Sequence, residues 1–194
     1  FDYSGHGASG GRFVDGTIGR WAEDAACAFD RLTEGPQVLV GSSMGGWIAL
    51  LLALRRPERV AALLGIAAAP DFTARITETL PAEAREAIAR DGVWYRPSEY
   101  GDPYPITRTL LDGGEDHMLL RGGRMVPISA PVRLLHGQRD PDVPWQVSMR
   151  VAEALAGEDV QVVLVKNGDH RLSRPQDLAL LRRTLAALLA ENGG

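Results

Sequence analysis

Gln37-Val38-Leu39-Val40-Gly41-Ser42-Ser43-Met44-Gly45-Gly46 decides how the rest of the chain is read. Its aliphatic first half reads as a short buried strand. That strand runs without a spacer into Gly41-x-Ser43-x-Gly45, and the apolar run Trp47 to Leu54 then reads as a buried helix stopped at Pro57. A serine centred between glycines on a strand-to-helix turn is the arrangement that exposes a nucleophile. The turn is crowded and strained, so its neighbours must be small. It also aims the Met44 backbone N–H at a developing oxyanion, at a helix start whose dipole favours negative charge. Ser42 is the rival hydroxyl, but only Ser43 is centred. The glycine spacing of Gly41 to Gly46 would also suit a phosphate loop, except that Trp47 stands where that loop needs lysine.

Outward from this turn the chain alternates strands and helices. Val60 to Ala68 reads as a strand apolar on both faces, as a parallel sheet covered on both sides requires. Val132 to Leu135 and Val160 to Val165 read as further strands, with helices at Trp145 to Ala156 and Pro175 to Ala190. Upstream, Phe1-Asp2-Tyr3 reads as the end of a strand already under way. A glycine-dense turn, Ser4 to Gly11, follows, and then a helix from about Thr17 to Leu32 carrying the stripe Trp21, Ala25, Ala28 and Leu32. Cys27 beside that stripe reads as a small helix-packing residue. The sum is an α/β fold, a mostly parallel sheet with helices on both faces, in one domain spanning 1–194. About 71–129 breaks the rhythm. Only Pro81 to Arg90 is clearly helical there, among Gly92, Pro97, Gly101-Asp102-Pro103, Asp112-Gly113-Gly114 and Gly122-Gly123, so the stretch reads as an inserted lid.

A serine hydroxyl needs a histidine to take its proton and a carboxylate to orient that histidine. In such a sheet the chain order is serine, acid, histidine, at the ends of successive strands. Asp140, in the turn after the Val132 strand, is the expected acid, with Asp142 the nearest alternative or else a charge before the helix at Trp145. His170, after the Val160 strand, is the expected base. His136 reads as a strand-end residue packed under the Gly137 turn, Asp169 as a turn former and His117 as part of a solvated loop in the lid. Trp94, Tyr95, Tyr104, Ile106, Leu110 and Leu111 either line an acyl pocket or simply hold the lid together.

Composition excludes other classes. The chain has 194 residues, 45% of them hydrophobic, a formal net charge of -4 and one cysteine. That is enough apolar content for a core and no electrostatic footprint for nucleic acid. A single thiol makes neither an internal disulfide nor a thiolate metal cluster, and no apolar run reaches membrane-spanning length. Of the 21 basic residues only Lys166 is lysine, a skew that reads as GC-rich bacterial composition. Reducing cytoplasm is the expected compartment. Gly5-His6-Gly7-Ala8-Ser9-Gly10 matches a dinucleotide fingerprint literally, but Gly11 and Gly16 break the helix that must open within it. No cofactor and no metal are expected.

Asp2-Tyr3-Ser4-Gly5-His6-Gly7, Gly41 to Trp47, Arg56-Pro57-Glu58-Arg59-Val60, Gly92-Val93-Trp94, Leu134-Leu135-His136-Gly137 with Asp140, Val143-Pro144-Trp145 and Asp169-His170-Arg171 together resemble the α/β-hydrolases. The combination resembles the subgroup of mitochondrial palmitoyl-protein thioesterases that also cleave acyl glucuronides, and its bacterial relatives. The resemblance covers essentially the whole chain. It implies Ser43 as nucleophile, Asp140 as acid and His170 as base, acting on an ester or thioester of a small molecule or an acylated protein. It also implies that about three strands and a helix precede Phe1, among them the loop carrying the second oxyanion donor, which leaves Met44 as the donor in this chain. Thioester and oxygen-ester substrates are not separated by spacing. A general carboxylesterase or perhydrolase would use the same residues, and a fragment without activity is the reading from another class.

Overall fold

The computed structural model describes residues 1–97 and 103–192; Gly101 and Asp102 of the expected lid lie outside them. The chain divides into two compact units, one made of Phe1–Phe29 with Asp71–Met118, the other of Asp30–Pro70 with Leu119–Gly194.

The second unit holds a four-stranded sheet, β1 (Gln37–Ser42), β2 (Val60–Ile66), β5 (Val132–Gly137) and β6 (Val160–Val165), in the spatial order β1-β2-β5-β6. Every pairing in it is parallel. Parallel neighbours cannot be joined by a tight turn, so the connections carry helices: α2 (Met44–Arg55), α6 (Gln146–Ala154) and, after β6, α7 (Pro175–Asn192). Side chains alternate across the sheet, which sorts them between two faces. Ala62, Leu64, Ile66 and Leu135 form one core cluster with Leu188 of α7 and with Leu172, while Leu180, Leu181 and Leu185 of the same helix pack against it. On that face Arg133, 8% exposed, bonds Asp159 at 2.7 Å and reaches Glu191 near the end of α7 at 3.5 Å. The opposite face receives Leu63, Gly65, Leu134 and His136. A Cβ on Gly46 of α2 would press on Ala68, so glycine there lets α2 lie close to that chain, and a Cβ on Gly65 would meet Leu134.

Among the described residues β1 pairs with β2 alone and is half-buried, with Val40 48% exposed.

The other unit contains most of α1 (Ile18–Leu32), together with α3 (Phe72–Thr79), α4 (Ala82–Asp91), the antiparallel pair β3 (Val93–Arg96) and β4 (Tyr104–Thr107), and α5 (Arg108–Glu115). Its glycine-dense turn is tied to α1. Ser4 donates through its backbone N–H and its Oγ to Asp24 at 2.8 and 2.6 Å, and Trp21 Nε1 donates to the Ser4 carbonyl at 3.0 Å. The His6 ring stands edge-on to Phe13 and Trp21, with centroids 4.9 and 5.1 Å away. Gly5 N–H bonds Gly10 O, Ser9 N–H bonds His6 O and Ala8 N–H bonds the Asp2 carboxylate, so these amides serve the turn rather than a phosphate.

Four expectations for these elements are corrected. The buried face of α1 is Ile18, Trp21, Ala22, Ala25, Ala26 and Phe29, whereas Leu32 is 77% exposed. Cys27 is also exposed, so it is not a packing residue. The stretch thought to hold one helix holds three helices and a hairpin, built on Leu80, Ala84, Ile88, Ile106 and Leu111 with Trp94 packed against them. Trp94, Ile106 and Leu111 thus glue this unit together, and Leu110 is buried as well, while Tyr95 is 57% exposed. Half-buried His117 is not a solvated loop residue: its imidazole lies against Gly19 of α1, where a Cβ would meet Nε2 at 2.6 Å. Among the described residues no helix is long and apolar enough to cross a membrane.

Leu64 is 0% exposed between the central strands and α7. Leu64→Ala is expected to cost about 2–5 kcal/mol of unfolding free energy in a urea titration. A loss below about 1 kcal/mol would show that this face is not the core described.

Candidate active site

All the residues singled out for chemistry lie in the sheet unit, at the ends of β1, β5 and β6. Ser43 is the one residue between β1 and α2, at φ 52° and ψ −120°. A positive φ on a non-glycine residue is strained, at roughly 1–3 kcal/mol, and needs surroundings that hold it. Here its N–H donates to Ile66 O at 2.9 Å, and its carbonyl accepts from Ala69 N at 3.0 Å and Gly46 N at 3.0 Å. Gly41 is required by contact: a Cβ there would run into the Gly45 carbonyl. Met44 opens α2, so its N–H is among the first-turn donors that a helix leaves without a carbonyl four residues back. Ser42 ends the strand, exposed, one residue short of the turn.

Asp140 follows β5 in a turn that closes on its own side chain. Oδ1 accepts from the backbone N–H groups of Asp142 and Val143, each at 2.8 Å. Oδ2 lies 2.7 Å from His170 Nδ1 and 3.2 Å from His136 Nε2, with the carboxyl side chain 1% exposed. Burial by itself would push this carboxyl up. The donors from His136, His170 and Val143 outweigh it and hold the group well below the usual carboxylate range.

His170 follows β6, and its side chain is 15% exposed. Its Nδ1 faces Asp140, and its Nε2 lies 3.0 Å from Ser43 Oγ. With Nδ1–H donating to the ionised carboxylate, Nε2 is left as the acceptor for the serine hydroxyl. The loop is held on both sides. Leu172, at φ 46°, is buried in the core cluster, and its N–H bonds Asp169 Oδ1 at 2.9 Å, the turn-forming part read for Asp169. Arg139 N–H donates to Gly168 O and Gln138 N–H to Val165 O, both at 2.9 Å, so the turns carrying Asp140 and His170 are stitched backbone to backbone. Gly137 permits that approach, since a Cβ there would strike the carbonyls of Gly168 and Asp169.

The structure therefore brings Ser43, His170 and Asp140 into one hydrogen-bonded line and leaves Ser42 out of it. Asp142 takes part through its backbone, and its carboxylate shares the neighbourhood. Ligand atoms of Asp140, Asp142 and His170 lie within 4.8 Å of one another, a spacing that could hold a cation. The bond between Asp140 and His170 already uses two of those atoms, so an ion there would have to displace it. His136 is the residue whose sequence reading falls short. It is not merely packed under a turn: its Nε2 stands against Asp140 Oδ2 and its Nδ1 against Ser148 of α6.

Comparison with known proteins agrees with this fold. A family model described as serine aminopeptidase, S33, matches residues 1–110. The mitochondrial palmitoyl-protein thioesterase ABHD10 of Pongo abelii is 42% identical over 97% of this chain, which spans 62% of that protein's length. Two solved structures superpose closely. A candidate hydrolase from Agrobacterium vitis S4 is 43% identical, with a TM-score of 0.92 over 97% of this chain and 74% of that one. The mouse α/β-hydrolase domain-containing protein 10 is 42% identical, with a TM-score of 0.88 over 98% of this chain and 76% of that one.

The depressed Asp140 carboxyl has a signed consequence. Its contribution to stability is complete above the carboxyl's unfolded pKa, about 3.9, and is lost as pH falls through the lower folded value. In urea titrations the gap between parent and Asp140→Asn should stay constant above about pH 5 and narrow toward pH 3. A gap that does not change across that interval would contradict the hydrogen-bonded carboxylate.

Proposed function

The chain belongs to the α/β-hydrolase family, and from that membership we propose that it is a serine hydrolase of carboxylic esters and thioesters. The observation that carries the reading is the line Asp140 Oδ2–His170 Nδ1 at 2.7 Å and His170 Nε2–Ser43 Oγ at 3.0 Å, held on three strand ends of one unit. These are the distances over which a base can remove a hydroxyl proton.

In this reading Ser43 Oγ attacks the carbonyl carbon as His170 Nε2 takes its proton. The tetrahedral oxyanion draws on the Met44 N–H at the start of α2. Collapse breaks the acyl–sulfur or acyl–oxygen bond, and His170 returns the proton to the departing thiolate or alkoxide. The acyl group is then on Ser43. Water, activated by the same His170, releases it as a carboxylic acid and regenerates the serine. Asp140 stays ionised throughout and stabilises the imidazolium.

The thioester side of the proposal rests on the relatives named palmitoyl-protein thioesterase, at 41% to 43% identity. An apolar acyl part, free or on a protein, is the proposed substrate class. The reducing interior that suits the lone cysteine is the proposed compartment, whether bacterial cytoplasm or, as in the relatives' names, a mitochondrion.

Ser43→Ala should lower kcat for a p-nitrophenyl acyl ester by about 10⁴-fold or more. A fluorophosphonate probe should label the parent at Ser43 alone. Hydrolysis at the parent rate by the variant, or labelling elsewhere, would overturn the assignment.

A further inference from the structure

His136 takes no part in the proton transfers just described, yet it is 0% exposed and stands against the acid. It rests at the end of β5 with partners on both ring nitrogens. Nε2 lies 3.0 Å from the Val143 carbonyl oxygen and 3.2 Å from Asp140 Oδ2. Both of these can only accept, so Nε2 carries a hydrogen. Nδ1 lies 2.7 Å from Oγ of Ser148, a residue of α6 that is itself 0% exposed. A hydroxyl is free to donate, so a neutral ring with its hydrogen on Nε2 is satisfied at both ends, with Ser148 as donor.

The carboxylate needs this neighbour. Oδ1 is occupied by two backbone N–H groups, and Oδ2 is shared by His170 and His136, which fills the acceptor capacity of a buried carboxylate. The ring stands against the charged Asp140, which in turn lies beside Asp142 and His170. We propose that His136 is a positioning residue for the hydrolytic reaction: Ser148 fixes its Nε2–H tautomer, and that hydrogen, shared between Val143 O and Asp140 Oδ2, keeps the carboxylate turned so that Oδ2 meets His170. The fold thereby couples α6 to the proton relay through one imidazole, and the inference rests on the serine-hydrolase reading above.

Two measurements decide it. The first is independent of activity. In protein carrying ¹⁵N-labelled histidine, with the His136 signals identified by their loss in His136→Gln, Nε2 should be protonated and Nδ1 not. In Ser148→Ala that preference should weaken. A hydrogen on His136 Nδ1 in the parent overturns the inference. The second is kinetic, with a p-nitrophenyl acyl ester. His136→Leu should lower kcat about 10-fold, the effect of losing a hydrogen bond to a charged acceptor, with KM within about twofold. The acid limb of its kcat/KM profile should move to higher pH, because the carboxylate's charge is then directed to His170 alone. His136→Gln, whose amide can still donate toward Asp140, should restore most of the rate and the parent profile. A folded His136→Leu protein with the parent kcat and acid limb overturns the inference. Should that variant fail to fold, Ser148→Ala takes its place, with the same shift of the acid limb expected and an unmoved limb counting against. Loss of Ser43 labelling in the parent would instead strike the hydrolase reading, which separates the two failures.

Discussion

The carboxylate of Asp140 is the constraint on which the candidate site depends. A buried carboxyl group is costly unless its oxygens are satisfied, and here four donors converge on it from three parts of the chain. Two come from the turn that carries it. The others are imidazoles, one at the end of β5 and braced by α6, the other in the turn after β6. Satisfying this single side chain fixes where the β5 turn closes, how α6 approaches and which nitrogen His170 presents to Ser43.

The glycines act on the same geometry through the backbone. Gly41 lets the serine turn fold back over the strand, Gly46 lets α2 lie against Ala68, and Gly137 lets the acid turn touch the histidine turn. Each is a contact distance rather than a flexible joint. The strain at Ser43 is carried by bonds to Ile66, Ala69 and Gly46, so β2 helps to hold the serine that β1 delivers. Parallel pairing matters for this reason: it sets the carboxyl ends of adjacent strands side by side, where their turns can meet.

Much of this was legible in the sequence, for identifiable reasons. Ser43 announces itself because a tight strand-to-helix turn demands small neighbours within a few residues. Asp140 and His170 follow from the order in which strands of this topology end. What escaped depends on distant partners or on phase. Leu32 and Cys27 fall off the buried face because, at 3.6 residues per turn, the face formed by Ile18, Trp21, Ala25 and Phe29 rotates away from both. The β3–β4 hairpin and the short helices α3 and α5 hide among glycines and prolines, where each element is too brief to show a period. His136 was read locally, as a residue under a turn, whereas its role is set by Ser148, twelve residues on and in another element.

The central claim is that Ser43 carries the acyl group between two half-reactions. Rapid mixing with an acyl thioester, quenching in acid and weighing the intact protein tests this directly. The account predicts a transient mass gain equal to the acyl group minus one hydrogen, mapping to the peptide that contains Ser43 and decaying as free acid appears. Steady thioester hydrolysis with no adduct, or an adduct on Cys27 instead, would contradict it.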